Sequence, residues 1–269
     1  MKEIRELLNK YLLRGDMDEI YRKLETEKST TSVGFEILNE QFRKWKGLGG
    51  SNFQIDLPLL ISENEKKAGK RIMIIGQDPN NDGKEDNGRV ILNTPYSFLA
   101  QEGNVYNEIL NALKGEYELY LTDLYKMFFW FKSDLKMAKN KKSLNAKSHQ
   151  LPTYTFEAIH YTMLREEINI VKPDLIVTFG NTARRAVQLI APNTIKYRDT
   201  VTKDKILLQP SYEFLLDSGK RIKYAPLPHP SNSVRQSGWN KFFTENEIEV
   251  EKRAEGVLKV ILEVIRNLL

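Results

Sequence analysis

Up to about residue 70 the apolar positions recur three and four apart, a spacing that gathers them on one side of a helix and predicts helices over residues 3–13, 16–27 and 35–45. Asp16 and Asp18 supply carboxylates where the second of these begins, at the positive end of its dipole. Charges of both signs alternate through the stretch, as on solvated helix faces. Residues 1–67 therefore read as a helical extension laid on a larger domain; gripping a partner is the other reading.

From Lys70 the pattern changes. The run Arg71-Ile72-Met73-Ile74-Ile75 is rich in β-branched residues, does not alternate with polar ones, and ends in Gly76, which suits a strand buried on both faces of a parallel sheet. Residues 117–121 and 174–179 repeat its character, and each follows a stretch with helical spacing, residues 105–113 and 156–171. A helix over 182–190 follows the third strand, and residues 223–226 can form a fourth. Ala254, Val257, Leu258, Ile261, Val264, Ile265 and Leu268 draw an apolar stripe along a closing helix. Strand and helix in alternation predict an α/β domain over residues 68–269, a central parallel sheet flanked by helices, with chemistry sought beyond the carboxyl ends of the strands.

Composition narrows the chemistry. The chain has 269 residues, 41 Lys and Arg against 36 Asp and Glu, and 41% hydrophobic residues, the profile of a globular protein of one or two domains. A chain of this length buries about three quarters of its unfolded surface. It has no cysteine, which excludes disulfides, thiolate zinc sites, cysteine-held iron–sulfur clusters and a cysteine nucleophile. Its three histidines, His149, His160 and His229, are too scattered for a metal cage, so neither a metal nor another cofactor is expected. Charges at Lys2, Glu3, Arg5, Glu6 and Lys10 interrupt the start, and no later stretch has the length of a membrane span; a cytoplasmic protein with no membrane partner is expected. Lys132, Lys136, Lys139, Lys141, Lys142 and Lys147 lie in a polar stretch whose only acid is Asp134. Such a stretch is either a solvated loop or a seat for a phosphate backbone.

Two short motifs stand at strand ends. In Gly76-Gln77-Asp78-Pro79-Asn80-Asn81 the glycine permits a sharp turn and Pro79 fixes φ, so Asp78 sits in a stiff loop. The glycine spacing and lysine of a P-loop are absent. In Pro228-His229-Pro230-Ser231-Asn232 two prolines confine His229, and Ser231 with nearby amides can donate to an anion. Ser231 and His229 are too close on a proline-bound turn to align as nucleophile and base. His160, on a helix, and His149, in the lysine-rich stretch, read as structural.

Together these motifs resemble those of the uracil-DNA glycosylase superfamily, whose members pair a Gly-Gln-Asp-Pro loop with a late His-Pro-Ser loop. Thr178-Phe179-Gly180-Asn181-Thr182-Ala183 is similar to its strand-to-helix junction. The resemblance runs from about Lys70 to Leu269 and implies a monofunctional DNA glycosylase that leaves an abasic site. It implies Asp78 as the carboxylate that stabilises the cationic sugar and positions water, and His229 as the donor to the departing base. The resemblance likewise implies that Gln77 lines the base pocket and that Phe98, or failing that Tyr96, is the ring on which an extruded base stacks. Ser231, Asn232, Ser233, Arg235 and Gln236 would hold the DNA beside the target, with Lys139, Lys141 and Lys142 as further phosphate contacts. DNA is the expected partner.

Three departures bear on the base. Asn80 replaces the tyrosine that closes the uracil pocket against groups on C5. Asp123, ending Tyr120-Leu121-Thr122-Asp123, replaces an asparagine that pairs with uracil. An ionised carboxylate only accepts, so it faces uracil O4 acceptor to acceptor but suits the amino group of cytosine. Joined, the two suggest a 5-substituted cytosine, such as the glucosylated hydroxymethylcytosine of some phage genomes, and a role in anti-phage defence; Asp123 as a plain turn residue is the competing reading. Thirdly, after His-Pro-Ser only Val234 is apolar, so the residue that wedges into the duplex is left unassigned. A uracil enzyme of base-excision repair, an inactive DNA-binding module and a hydrolase of free nucleosides are the other functions open on the sequence.

Overall fold

The computed structural model describes residues 1–26, 32–38, 50–62, 69–77, 90–95, 105–131, 153–191, 212–227, 229–230, 239, 243–244, 249 and 253–269. The chain forms two compact units, each assembled from separated stretches. One comprises Met1–Pro58, Asp78–Ser97 and Asp123–Ile170, the other Leu59–Gln77, Phe98–Thr122 and Val171–Leu269.

The second unit carries the α/β fold. Its strands are β4 (Leu59–Ile61), β5 (Arg71–Gly76), β7 (Glu118–Asp123), β9 (Leu175–Phe179), β10 (Tyr212–Leu215) and β11 (Arg221–Leu227), in the sheet order β10-β11-β9-β5-β7-β4. β11, β9 and β5 are parallel, whereas β10 and β4 are antiparallel to their neighbours, so the expected parallel sheet has antiparallel edges. Its helices are α3 (Val105–Leu113), α5 (Asn181–Ile190) and α6 (Arg253–Leu268). Successive strand side chains point to opposite faces. Ile72, Ile74, Leu119, Leu121, Leu175, Val177 and Leu227 share one face with Ile109 and Leu113 of α3 and Val257, Ile261 and Ile265 of α6. Met73, Ile75, Tyr120, Ile176 and Tyr224 fall on the other and are also buried. Burial on both faces is why these runs read as unbroken apolar segments.

The strands start at one polar edge. Arg71 donates through Nε and Nη2 to Glu118 (2.9 and 2.7 Å) and through Nη1 to the Val171 carbonyl (2.8 Å), while Asp174 accepts the Arg71 N–H (2.9 Å). Charge collects where β5, β7 and β9 begin, and the other edge is left to the motifs.

The first unit departs from the helical reading. α1 (Lys2–Tyr11) and α2 (Met17–Thr26) form as expected, and Asp16 caps α2 by accepting the N–H groups of Asp18 and Glu19 (3.1 and 3.0 Å). Between them lies β1 (Leu13–Gly15), paired antiparallel with β2 (Phe35–Ile37). Residues 35–37, predicted to open a third helix, are thus a strand, and the pairing partner decides it; residues 39–49 lie outside the described residues. A three-stranded sheet follows, β6 (Val90–Asn93) parallel and β8 (Met127–Phe131) antiparallel to β3 (Gly50–Asp56), another strand in a stretch read as helical. α4 (Thr153–Val171) completes the unit, and Tyr11 and Lys10 of α1 bond its Glu166 at 2.5 and 2.9 Å.

Polar groups are buried here. Lys126 and Glu167, both with fully buried side chains, pair at 2.8 Å, and the same ammonium donates to the Asp123 carbonyl at 2.9 Å. His160 lies edge-on to Tyr125 (5.5 Å between ring centroids). Burial, reinforced by the Lys126 cation, lowers its pKa to about 3. The folded chain thus keeps His160 neutral at pH values where the unfolded chain protonates it, and its contribution is lost as pH falls below the ordinary value of 6.5 towards about 3. Stability should drop by about 2 kcal/mol between pH 7 and pH 5 from this group. Urea titrations at both pH values check it: His160→Phe should flatten the dependence, and an unchanged slope would assign it to other groups.

Candidate active site

The described part of the site is built where three parallel strands end. The registers Ile75 with Thr178 and Phe179 with Leu227 bring the ends of β5, β9 and β11 level. β5 delivers Gln77, half-buried, one residue beyond Gly76. β9 passes into α5 through Gly180, the junction expected from the sequence, at φ 86°. Only glycine takes that conformation without strain. The Gly180 N–H donates to the Leu227 carbonyl (3.0 Å), fastening the junction to the end of β11, two residues before His229. A Cβ on Gly180 would meet Cβ and Cδ2 of His229 at 3.7 Å, ordinary contact, so the turn rather than space demands the glycine.

His229 is held by groups from outside its own loop. The hydroxyl of Tyr106, on the first turn of α3, lies 2.8 Å from Nε2, and the rings meet edge-on at 5.6 Å. Tyr106 also meets Phe179, the last residue of β9, edge-on at 5.4 Å. Trp239 directs Nε1 at the His229 carbonyl (3.4 Å) and stacks on Phe243 at 5.8 Å. Trp239, Phe243 and Pro230 are buried, whereas His229 is partly exposed. The imidazole is therefore met by core-anchored aromatic groups, in a residue that stays partly exposed.

Asp123 is the last residue of β7, it is 7% exposed, and its carbonyl is the one held by Lys126. Of the residues singled out from the sequence, Gln77, Asp123 and His229 are described. Asp78, Asn80, Tyr96, Phe98, Ser231, Asn232, Ser233, Arg235, Gln236, Lys139, Lys141 and Lys142 lie outside the described residues. Sequence reasoning missed Tyr106 and Trp239. Trp239 lies ten residues beyond His229, and an aromatic so near a rigid loop was a usable signal; Tyr106 is 123 residues away and had none. Among the described residues no three His, Asp or Glu side chains come together to hold a metal, and no helix is long and apolar enough to cross a membrane.

No curated protein matches the chain. The family model described as the uracil DNA glycosylase superfamily matches residues 64–249, a span that takes in the Gly76 loop, the Gly180 junction and the His229 loop. With that match over most of its length and an α/β fold to carry it, the chain belongs to the uracil-DNA glycosylase superfamily.

Proposed function

We propose that the chain is a monofunctional DNA glycosylase that hydrolyses the N-glycosidic bond of an extruded 5-substituted cytosine, leaving an abasic site. Breaking that bond gives the sugar oxocarbenium character and sends negative charge into the base. Asp78 supplies an anion beneath the sugar and positions water for the anomeric carbon. His229 donates to the base oxygen that gains charge, as an oxyanion-hole donor does. The loop from Ser231 to Gln236 and the lysines at 139, 141 and 142 hold the flanking phosphates, and a base extruded from the stack rests on Phe98 or Tyr96. Water is the nucleophile, since neither motif contains a lysine that could form a Schiff base.

The observation that carries the choice of base is Asp123, a carboxylate almost fully buried at the end of β7. An ionised carboxylate only accepts hydrogen bonds, so facing a base it suits the amino group of cytosine and opposes uracil O4. Asn80 leaves room for a group on C5. A glucosylated hydroxymethylcytosine of phage DNA fits both features and gives the enzyme a target absent from unmodified host DNA, hence a defence role.

Oligonucleotides bearing uracil, thymine, cytosine, hydroxymethylcytosine or its glucosylated form, incubated with the protein and then heated in alkali, test the proposal. Scission at a 5-substituted cytosine is expected. Scission at uracil alone overturns the cytosine reading and leaves a repair enzyme, whereas scission at none overturns the enzymatic one. Asp123→Asn should shift the ratio of cytosine to uracil cleavage by at least about tenfold towards uracil, the effect of mismatching one buried hydrogen-bonding group.

A further inference from the structure

We propose that the buried Lys126–Glu167 pair sets the choice of base: Lys126 is a positioning residue whose ammonium, pinned by Glu167, holds the main chain at Asp123 and so aims its carboxylate. This deepens the reading of Asp123 as the group that meets the base and rests on it. Lys126 reaches back three residues to donate to the Asp123 carbonyl at 2.9 Å, and its side chain is wholly buried. Glu167, equally buried, fixes the ammonium at 2.8 Å. β7 sets the peptide before Asp123 and Lys126 the peptide after it. Between two fixed peptide planes the Cα–Cβ bond has one direction.

The whole turn is anchored. Leu124 is fully buried, Tyr125 lies edge-on to His160, and the Lys126 carbonyl accepts the Asp56 N–H at 2.9 Å. His160 and Glu167 stand seven residues apart on α4, two helical turns, so one side of that helix supplies both contacts. Stability alone does not call for such a pair. Apolar side chains of similar volume serve an interior as well or better, because they escape the cost of dehydrating two charges. What they cannot supply is a donor at a fixed point for the Asp123 carbonyl. A hydrogen bond to a base edge weakens steeply when its angle strays, so a carboxylate that separates an amino group from O4 needs a stiff mount. A carboxylate accepts about four hydrogen bonds, so a bond from the protein and one from the base can share it.

Cleavage of oligonucleotides carrying a 5-substituted cytosine or uracil tests this in the wild type, Lys126→Met/Glu167→Leu, Asp123→Asn, and the three changes combined. In the wild-type background, removing the pair should lower the ratio of cytosine to uracil cleavage about tenfold, the effect of misplacing one buried hydrogen-bonding group. In the Asp123→Asn background it should change the ratio less than about twofold, because the pair acts only through that carboxylate. A role in general packing would instead lower cleavage of both bases alike in either background. An unchanged ratio in the double variant, an equal fall in both backgrounds, or a double variant that does not fold overturns the proposal. Nitrogen-15 spectra of the lysine ammonium groups give a readout that needs no cleavage. Lys126, identified by its loss in the double variant, should give a slowly exchanging signal coupled through the hydrogen bond to the Asp123 carbonyl carbon. A rapidly exchanging signal without that coupling overturns the hold. If the wild type cleaves uracil alone or nothing, the reading of Asp123 falls while the ammonium signal still decides the hold, so the two failures are distinguishable.

Discussion

Asp78→Asn should lower kcat by about 10²–10³-fold while leaving DNA binding nearly unchanged. Asparagine matches aspartate in shape but not in charge, so the substitution removes the anion and little else. The deoxyribose is neutral in the ground state and acquires positive charge only as the base departs. An anion beneath it therefore acts on the transition state rather than on binding, and the loss belongs in kcat. Binding should tighten slightly, because a carboxylate close to phosphates repels them. Single-turnover cleavage against a separate binding titration reads the two effects apart. A variant that cleaves at the wild-type rate would remove Asp78 from the chemistry, and one that neither binds nor cleaves would make its role structural.

Lys126→Met should cost about 3–5 kcal/mol of stability, the usual penalty for stranding one partner of a buried ion pair. The side chains of Lys126 and Glu167 are both fully shielded from water. Removing the ammonium leaves a carboxylate in that interior and deprives the Asp123 carbonyl of its donor. Removing both charges avoids the first penalty. The double variant Lys126→Met/Glu167→Leu should therefore recover most of the loss, and a double-mutant cycle from urea titrations measures the coupling. Simple addition of the two single losses would show that the pair is not the source. Because Lys126 also holds the main chain at Asp123, the double variant should be more stable than either single variant yet cleave less well than the wild type.

The α/β unit was legible because its strands carry their own signal. Ile72 to Ile75, Leu175 to Phe179 and the residues around Tyr120 are buried on both faces, so each run is apolar without reference to its neighbours. The helix over Val105–Leu113 follows from spacing alone. The first unit is different in kind. Phe35 to Ile37 become a strand only because Leu13 to Gly15 lie beside them, and polar Gly50 to Asp56 owe their conformation to partners about forty and eighty residues away. Spacing carries nothing of such pairings. In the site, His229 was visible from its prolines, but the groups that hold it arrive from α3 and from Trp239. The burial of Lys126 was equally hidden, since a lysine in a sequence carries no mark of the carboxylate that will meet it.

The parallel pairing of β5 with β9 sets an order of events during synthesis. Ile72 to Ile75 leave the ribosome about a hundred residues before Leu175 to Thr178, the strand that covers one of their edges. Translation at about 5–20 residues per second makes that wait last on the order of 5–20 seconds. Throughout it an oily ribbon of backbone has no permanent neighbour on that side, and its loosely formed state is open to mispairing with another nascent chain. Yield in cells should consequently depend on holdase chaperones and on growth temperature more than the stability of the finished sheet suggests.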